Sequence, residues 1–182
     1  RLGFLQREPK KEREALTPQQ QAALLEFMEQ DTYCRRYRDL FLILLHTGLR
    51  AGECAGLTVE DIHLHSGYLQ VDHQVYYSPE QGGMVWAPPK TEKSCRKIPL
   101  TAPAAEALQR RILVARQFGR CQVIGQRRHF LFPCLNGSRP LHGVDFDRIF
   151  RNVHRRYAQS GGIPIAALTP HILRHTFCTG LV

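Results

Sequence analysis

Six consecutive apolar residues, Leu40-Phe41-Leu42-Ile43-Leu44-Leu45, follow Tyr37 in a stretch bounded by Arg35 and His46. Tyr37, Leu40, Phe41, Leu44 and Leu45 recur at helical spacing, and Ile43 widens the apolar face until it is nearly continuous. A helix that is apolar on almost every side needs neighbours on almost every side. Residues 35–46 therefore predict a central, buried helix with other elements wrapped around it. Thr47-Gly48 ends it, and Arg50-Ala51-Gly52-Glu53 opens a short third helix finishing near Leu57. Arg50 thus falls at a helix junction.

Upstream, residues 1–15 are charge-dense with few core-forming positions and read as an interdomain linker. Thr17 then caps a helix from about Pro18 to Glu29, with proline at the position where a missing N–H costs nothing. Between residues 68 and 100 the period changes. Tyr68, Leu69 and Val71, then Val75-Tyr76-Tyr77, then Val85-Trp86, then Arg96 to Leu100 are β-branched or aromatic runs punctuated by glycine turns. They predict about three antiparallel strands, with Lys90-Thr91-Glu92-Lys93-Ser94 as the polar tip of the last hairpin. Helices resume from Thr101 to Arg116, from Val144 to Ala158 and from Thr169 onward, with Phe130 to Pro133 as a short extended segment. The expected fold is α+β and mainly helical, with a small three-stranded antiparallel sheet at one edge of the helical core.

At 182 residues the chain suits one domain with a packed core. A formal charge of +9 favours a polyanionic partner, because each neutralised phosphate releases a condensed counterion. No apolar run reaches the roughly 18–20 residues of a membrane span, and no signal-peptide pattern opens the chain, so the expected location is cytoplasmic, beside the nucleoid. Cys34, Cys54, Cys95, Cys121, Cys134 and Cys178 are scattered without a C-x-x-C pair and read as reduced thiols. Cys54 and Cys178 lie among apolar and small residues, which suggests core packing for both.

Three clusters carry candidate chemistry: Thr47 to Glu53, Lys90-Thr91, and His171-Ile172-Leu173-Arg174-His175. His171 and Arg174 are three apart on a helix, so a proton-transfer group and a bidentate cation share one face. Arg50 alone reads sooner as a surface residue, and His171 equally as a capping histidine. Order and context together change that balance, for the chain resembles the tyrosine recombinase family of phage-type integrases. The likeness runs from Leu16 to Val182 and includes Leu57-Thr58 to Asp61-Ile62, Arg96-Lys97-Ile98-Pro99-Leu100 and Leu131-Phe132.

The resemblance implies that residues 16–182 are a catalytic domain acting on double-stranded DNA. It would cleave and rejoin strands through a 3′-phosphotyrosyl link, conserving bond energy with no ATP, metal or other cofactor. Arg50 and Arg174 would be the two active-site arginines, His171 the histidine of the H-x-x-R box, and Lys90 the general acid, with Lys93 its rival. Glu53 and His175 would support these groups, and Lys93 and Arg96 would contact DNA. Integration or excision of a mobile element, in a homotetramer on DNA and with a directionality factor, belongs to the same expectation.

In that family the nucleophilic tyrosine lies downstream of the H-x-x-R box, so the expectation here is a fragment that ends before it and binds DNA without cutting. Tyr33, Tyr37, Tyr68, Tyr76, Tyr77 and Tyr157 all fit ordinary packing better than nucleophilic attack. Two other readings were weighed. A non-catalytic helical DNA-binding regulator would use the same basic groups for phosphate contacts alone. A zinc enzyme would use His171 and His175, four apart as in H-E-x-x-H, but Ile172 stands where the glutamate belongs.

Overall fold

The structure, a computed structural model, describes residues 14–89, 94–117 and 123–180. Helix α1 (Pro18–Gln30) opens on a reciprocal cap: Thr17 Oγ1 accepts from Gln20 N, and the Gln20 side-chain oxygen accepts from Thr17 N. After α1 the Asp31 carboxylate accepts from the backbone N–H groups of Tyr33 and Cys34, 2.9 Å each, and winds Cys34–Tyr37 into a 3-10 turn. The helix expected from residue 35 is therefore α-helical only as α2 (Arg38–Thr47).

Leu40 to Leu45 are each no more than 6% exposed, which makes α2 the centre of the core. Burial of each such side chain contributes up to about 1.5–3 kcal/mol. α2 packs against α4 (Ala102–Gln117) and α6 (Pro170–Thr179), and Phe41 stacks on Phe150 of α5 (Gly143–Gln159) with ring centroids 4.3 Å apart. The inward face of α5 is Phe146, Ile149, Phe150, Val153 and Tyr157, at the expected 3–4 spacing.

The strands form two ladders instead of one sheet. β1 (Ile62–His63), β2 (Tyr68–Val71) and β5 (Arg96–Pro99) make an antiparallel sheet in the order β1-β2-β5, with Leu69 opposite Ile98. β3 (Gln74–Ser78) and β4 (Gly83–Ala87) pair only with each other among the described residues, and β3 lies on the short helix α3 (Ala51–Gly56). The chain leaves the first ladder at buried His73, whose Nε2 is 2.8 Å from Gly56 O. β4 and β5 therefore do not pair with each other among the described residues, and the expected hairpin tip falls mostly on residues 90–93, which lie outside them. The segment from Phe130 is held by isolated bridges, Thr58 to Phe130 and Pro133 to Pro140.

Three packing expectations are corrected. Cys54 is buried but Cys178 is exposed, since α6 buries Ile172, Leu173 and Thr176 and turns the Arg174–Cys178 face outward. Tyr76 and Tyr77, on opposite faces of β3, are 43% and 49% exposed, so the packing expected of them is not met. Among the described residues no helix is long and apolar enough to cross a membrane.

Candidate active site

Gly48 caps α2 at φ +60°, and a β-carbon there would run into the Phe177 ring. This close approach sets α6 directly against the Thr47–Arg50 turn. From one turn earlier on α6, Arg174 donates through Nη1 to Gly48 O. The two clusters, 126 positions apart, therefore touch through backbone and guanidinium.

Arg50 is the N-cap of α3. Its backbone N–H donates to Glu53 Oε2 and its Nη1 to Glu53 Oε1, each at 2.9 Å. The Glu53 side chain is 5% exposed and that of Arg50 55%, so the carboxylate sits inside and the guanidinium reaches outward. Arg96 on β5 meets the same acid with Nη1 on Oε1 at 3.0 Å and Nη2 on Oε2 at 2.8 Å. Burial opposes ionisation of Glu53. The hydrogen bonds from Arg96 and from the Arg50 backbone outweigh it and hold the carboxyl below the usual glutamate range.

The Arg174 pKa is lowered, first by burial and then by the like charge of Arg50, with Glu53 acting in the opposite sense. Its guanidinium remains a cation at neutral pH. Two cations held this close are in want of an anion.

A cleft of about 610 Å³ is walled by Arg50 and Ala51 at the start of α3, Asp147 of α5, Ala167, and Thr169 to Ile172 with Arg174 of α6. Arg50, His171 and Arg174 thus share one cavity. His171 is exposed in the first turn of α6, where Thr169 accepts from Ile172 N. Lys90 and Lys93 lie outside the described residues.

Arg96, expected to contact DNA, places its fork on buried Glu53, and Nη1 also donates to Ser94 O at 3.2 Å. His175 is exposed and is not part of the core. Asp147 is a cleft residue that the sequence reading missed. Its flanking positions, core-facing Phe146 and outward Arg148, indicate a helix face but not the cavity beside it.

Among the described residues, Asp61, Asp72 and His73 have donor atoms within 4.8 Å of one another. Asp61 Oδ2 already accepts from Thr58 N and Oγ1, Asp61 Oδ1 takes Arg127 Nη1 at 3.3 Å, and His73 Nδ1 lies 2.5 Å from Asp72 Oδ1. With a guanidinium in its midst the group is a folded-in ion-pair cluster and not an open coordination site. His171 and His175, the pair weighed for zinc, are not part of it.

The helical frame that carries this cleft is matched in known proteins. The chain belongs to the phage integrase family, whose model matches residues 14–182. It is 34% identical to the transposase from transposon Tn916 of Enterococcus faecalis over 166 residues, covering 90% of this chain and 40% of that one. It is 30% identical to the tyrosine recombinase XerD of Proteus mirabilis over 148 residues, covering 81% of this chain and 39% of that one. The chain therefore spans about two fifths of the length of these curated relatives. Among solved structures, the Tn1549 transposon integrase in complex with circular intermediate DNA superposes with a TM-score of 0.85 at 33% identity, over 94% of this chain and 55% of that one. The XerA recombinase, at 18% identity and a TM-score of 0.65, shares the fold.

Proposed function

We propose that this chain is the catalytic portion of a site-specific DNA recombinase, the integrase of a mobile element, that binds a DNA phosphodiester in the cleft of Arg50, His171 and Arg174. The observation that carries the reading is the meeting of Arg50 and Arg174 at one cavity lined by His171, with Arg174 bound to Gly48 O two positions before Arg50. Attack on a phosphodiester builds negative charge on the two non-bridging oxygens. Guanidinium forks bind such oxygens bidentately, which an ammonium cannot do. His171, at the rim, binds the phosphate or moves a proton at the attacking hydroxyl, and Lys90 protonates the departing 5′ oxygen.

The attacking tyrosine of this reading, which would leave a 3′-phosphotyrosyl link, is none of the six in this chain. Among the described residues the cleft walls contain no tyrosine, and Tyr157 is buried against Phe27 with ring centroids 5.5 Å apart. The Tn1549 integrase, solved with DNA, and the Tn916 transposase support double-stranded DNA as the partner and a mobile element as the setting. Assembly as a tetramer on DNA and a directionality factor belong to the same proposal.

The test is a suicide-substrate assay on the complete reading frame, with a verified recombination site. A covalent protein–DNA adduct that is lost in Arg50→Ala and in Arg174→Ala is the expected result. Adduct formation that survives both substitutions would overturn the assignment.

A further inference from the structure

Glu53 receives more positive charge than Arg50 alone supplies, and Arg96 brings the larger share. The Arg96 fork meets both carboxylate oxygens, whereas Arg50 offers one side-chain N–H together with its backbone N–H. Two guanidiniums converge on one acid, and only one of them borders the cleft. A carboxylate this deeply buried stays ionised only while its oxygens are nearly saturated with donors. Without Arg96, the guanidinium already hydrogen-bonded to Glu53 is that of Arg50.

We propose that Arg96 is a positioning residue: by holding Glu53 in a two-point ion pair, it limits Arg50 to one side-chain hydrogen bond with the carboxylate and leaves the rest of its guanidinium for the cleft. The assignment rests on the reading of the cleft as a phosphodiester-transfer site and deepens it. The third contact of Arg96, to Ser94 O, fastens the same guanidinium to the backbone just ahead of β5. Arg96 thereby joins the start of β5 to the N-terminus of α3. A lysine at 96 keeps the charge, but its ammonium cannot span two carboxylate oxygens in the plane of a fork.

The experiment compares Arg96→Gln, Arg96→Lys and the double variant Arg96→Gln/Glu53→Gln in the suicide-substrate assay, with DNA affinity measured alongside. Partners that orient active groups from behind commonly cost about 10–100-fold when lost. That loss is expected in adduct formation for Arg96→Gln at saturating DNA, with affinity unchanged, and Arg96→Lys stays slow. The double variant recovers rate over Arg96→Gln, since no carboxylate remains to draw Arg50 inward.

A double variant no faster than Arg96→Gln overturns the proposal. So does an Arg96→Gln protein that binds DNA more weakly, with a shallower salt dependence, yet forms adduct at the wild-type rate once saturated. That pattern belongs to a phosphate contact. If Arg96→Gln does not fold, Arg96→Lys decides: wild-type adduct formation in it refutes the need for a fork. A crystal structure of the Arg96 variant separates this proposal from the reading it rests on. Arg50 closed onto both oxygens of Glu53 supports it and an unmoved Arg50 refutes it, whether or not any adduct can be trapped.

Discussion

The ring of Phe177 lies against the α-carbon of Gly48, which sits in the left-handed region at φ +60°, so residue 48 has no room for a β-carbon. The contact joins the end of the central helix to the helix that carries His171 and Arg174. Gly48→Ala should therefore meet two costs at once, a left-handed alanine at about 1–2 kcal/mol and overpacking at about 1–3 kcal/mol. Urea unfolding checks the sum. Adding Phe177→Leu should return the steric part and leave the conformational part, whereas full recovery would mean that backbone conformation at 48 carries no cost.

Arg174 binds Gly48 O with one nitrogen while facing the cleft, a geometry that needs a planar fork with donors on more than one edge. Under the proposed function, Arg174→Lys in the complete protein should consequently keep most of the DNA affinity and lose the reaction. Removing one preorganised donor from a charge-stabilising site costs about 2.7–4 kcal/mol in the barrier, or about a hundred- to thousandfold. Single-turnover cleavage at saturating DNA measures the loss separately from binding. An Arg174→Lys protein that cleaves normally but binds weakly would assign Arg174 to affinity alone.

The features legible in the sequence are those written in local spacing. The apolar run of α2 specifies a buried helix wherever its neighbours come from, and the three-residue step from His171 to Arg174 fixes a shared face. The short helix after Gly48 places Arg50 at a junction for the same reason. Non-local pairing is not written in spacing. Val85 and Trp86 have strand character, but nothing in them says that β4 joins β3 while β5 joins β2. The pairing of Arg96 with Glu53, 43 positions away, is likewise out of reach of spacing, and only the folded chain brings the two together. Cys178 was read as buried because periodicity finds helix faces without telling which neighbour covers each one. The Asp61–Asp72–His73–Arg127 cluster was invisible for a like reason, with Arg127 reaching Asp61 across 66 positions.

The thiols divide sharply. Burial, aided by the neighbouring Asp31 carboxylate, pushes Cys34 up to about 12, and burial also raises Cys54. For Cys134 burial is outweighed by hydrogen bonds from Ser138 and the backbone, and its pKa is lowered. Cys95 and Cys178 are exposed. Because the thiolate is the nucleophile, iodoacetamide at about pH 8, near the ordinary thiol pKa, should modify Cys95, Cys134 and Cys178 in the native protein. Cys34 and Cys54 should react only after unfolding. Peptide mapping by mass spectrometry reads the pattern, and rapid native labelling of Cys54 would contradict the packing of α3.

Glu53 also predicts how stability responds to acid. Against the opposing effect of burial, Arg96 and the Arg50 backbone hold its folded pKa below the unfolded value, which for a glutamate is about 4.3. Such a group stabilises the fold fully above the unfolded pKa and loses that contribution as pH falls through the lower, folded one. Glu53→Gln should thus lower stability at neutral pH by about 1–3 kcal/mol, the usual cost of leaving a buried hydrogen-bonding partner unsatisfied. The gap to wild type should stay constant from about pH 8 to pH 5 and narrow below about 4.3. Asp31, held well below the usual aspartate range by Arg156, should behave alike in Asp31→Asn, with narrowing that starts below about pH 3.9. Urea titrations at stepped pH follow both gaps. A Glu53→Gln gap that widens on acidification would mean that the native state raises the affinity of Glu53 for its proton, and that Arg96 does not neutralise it.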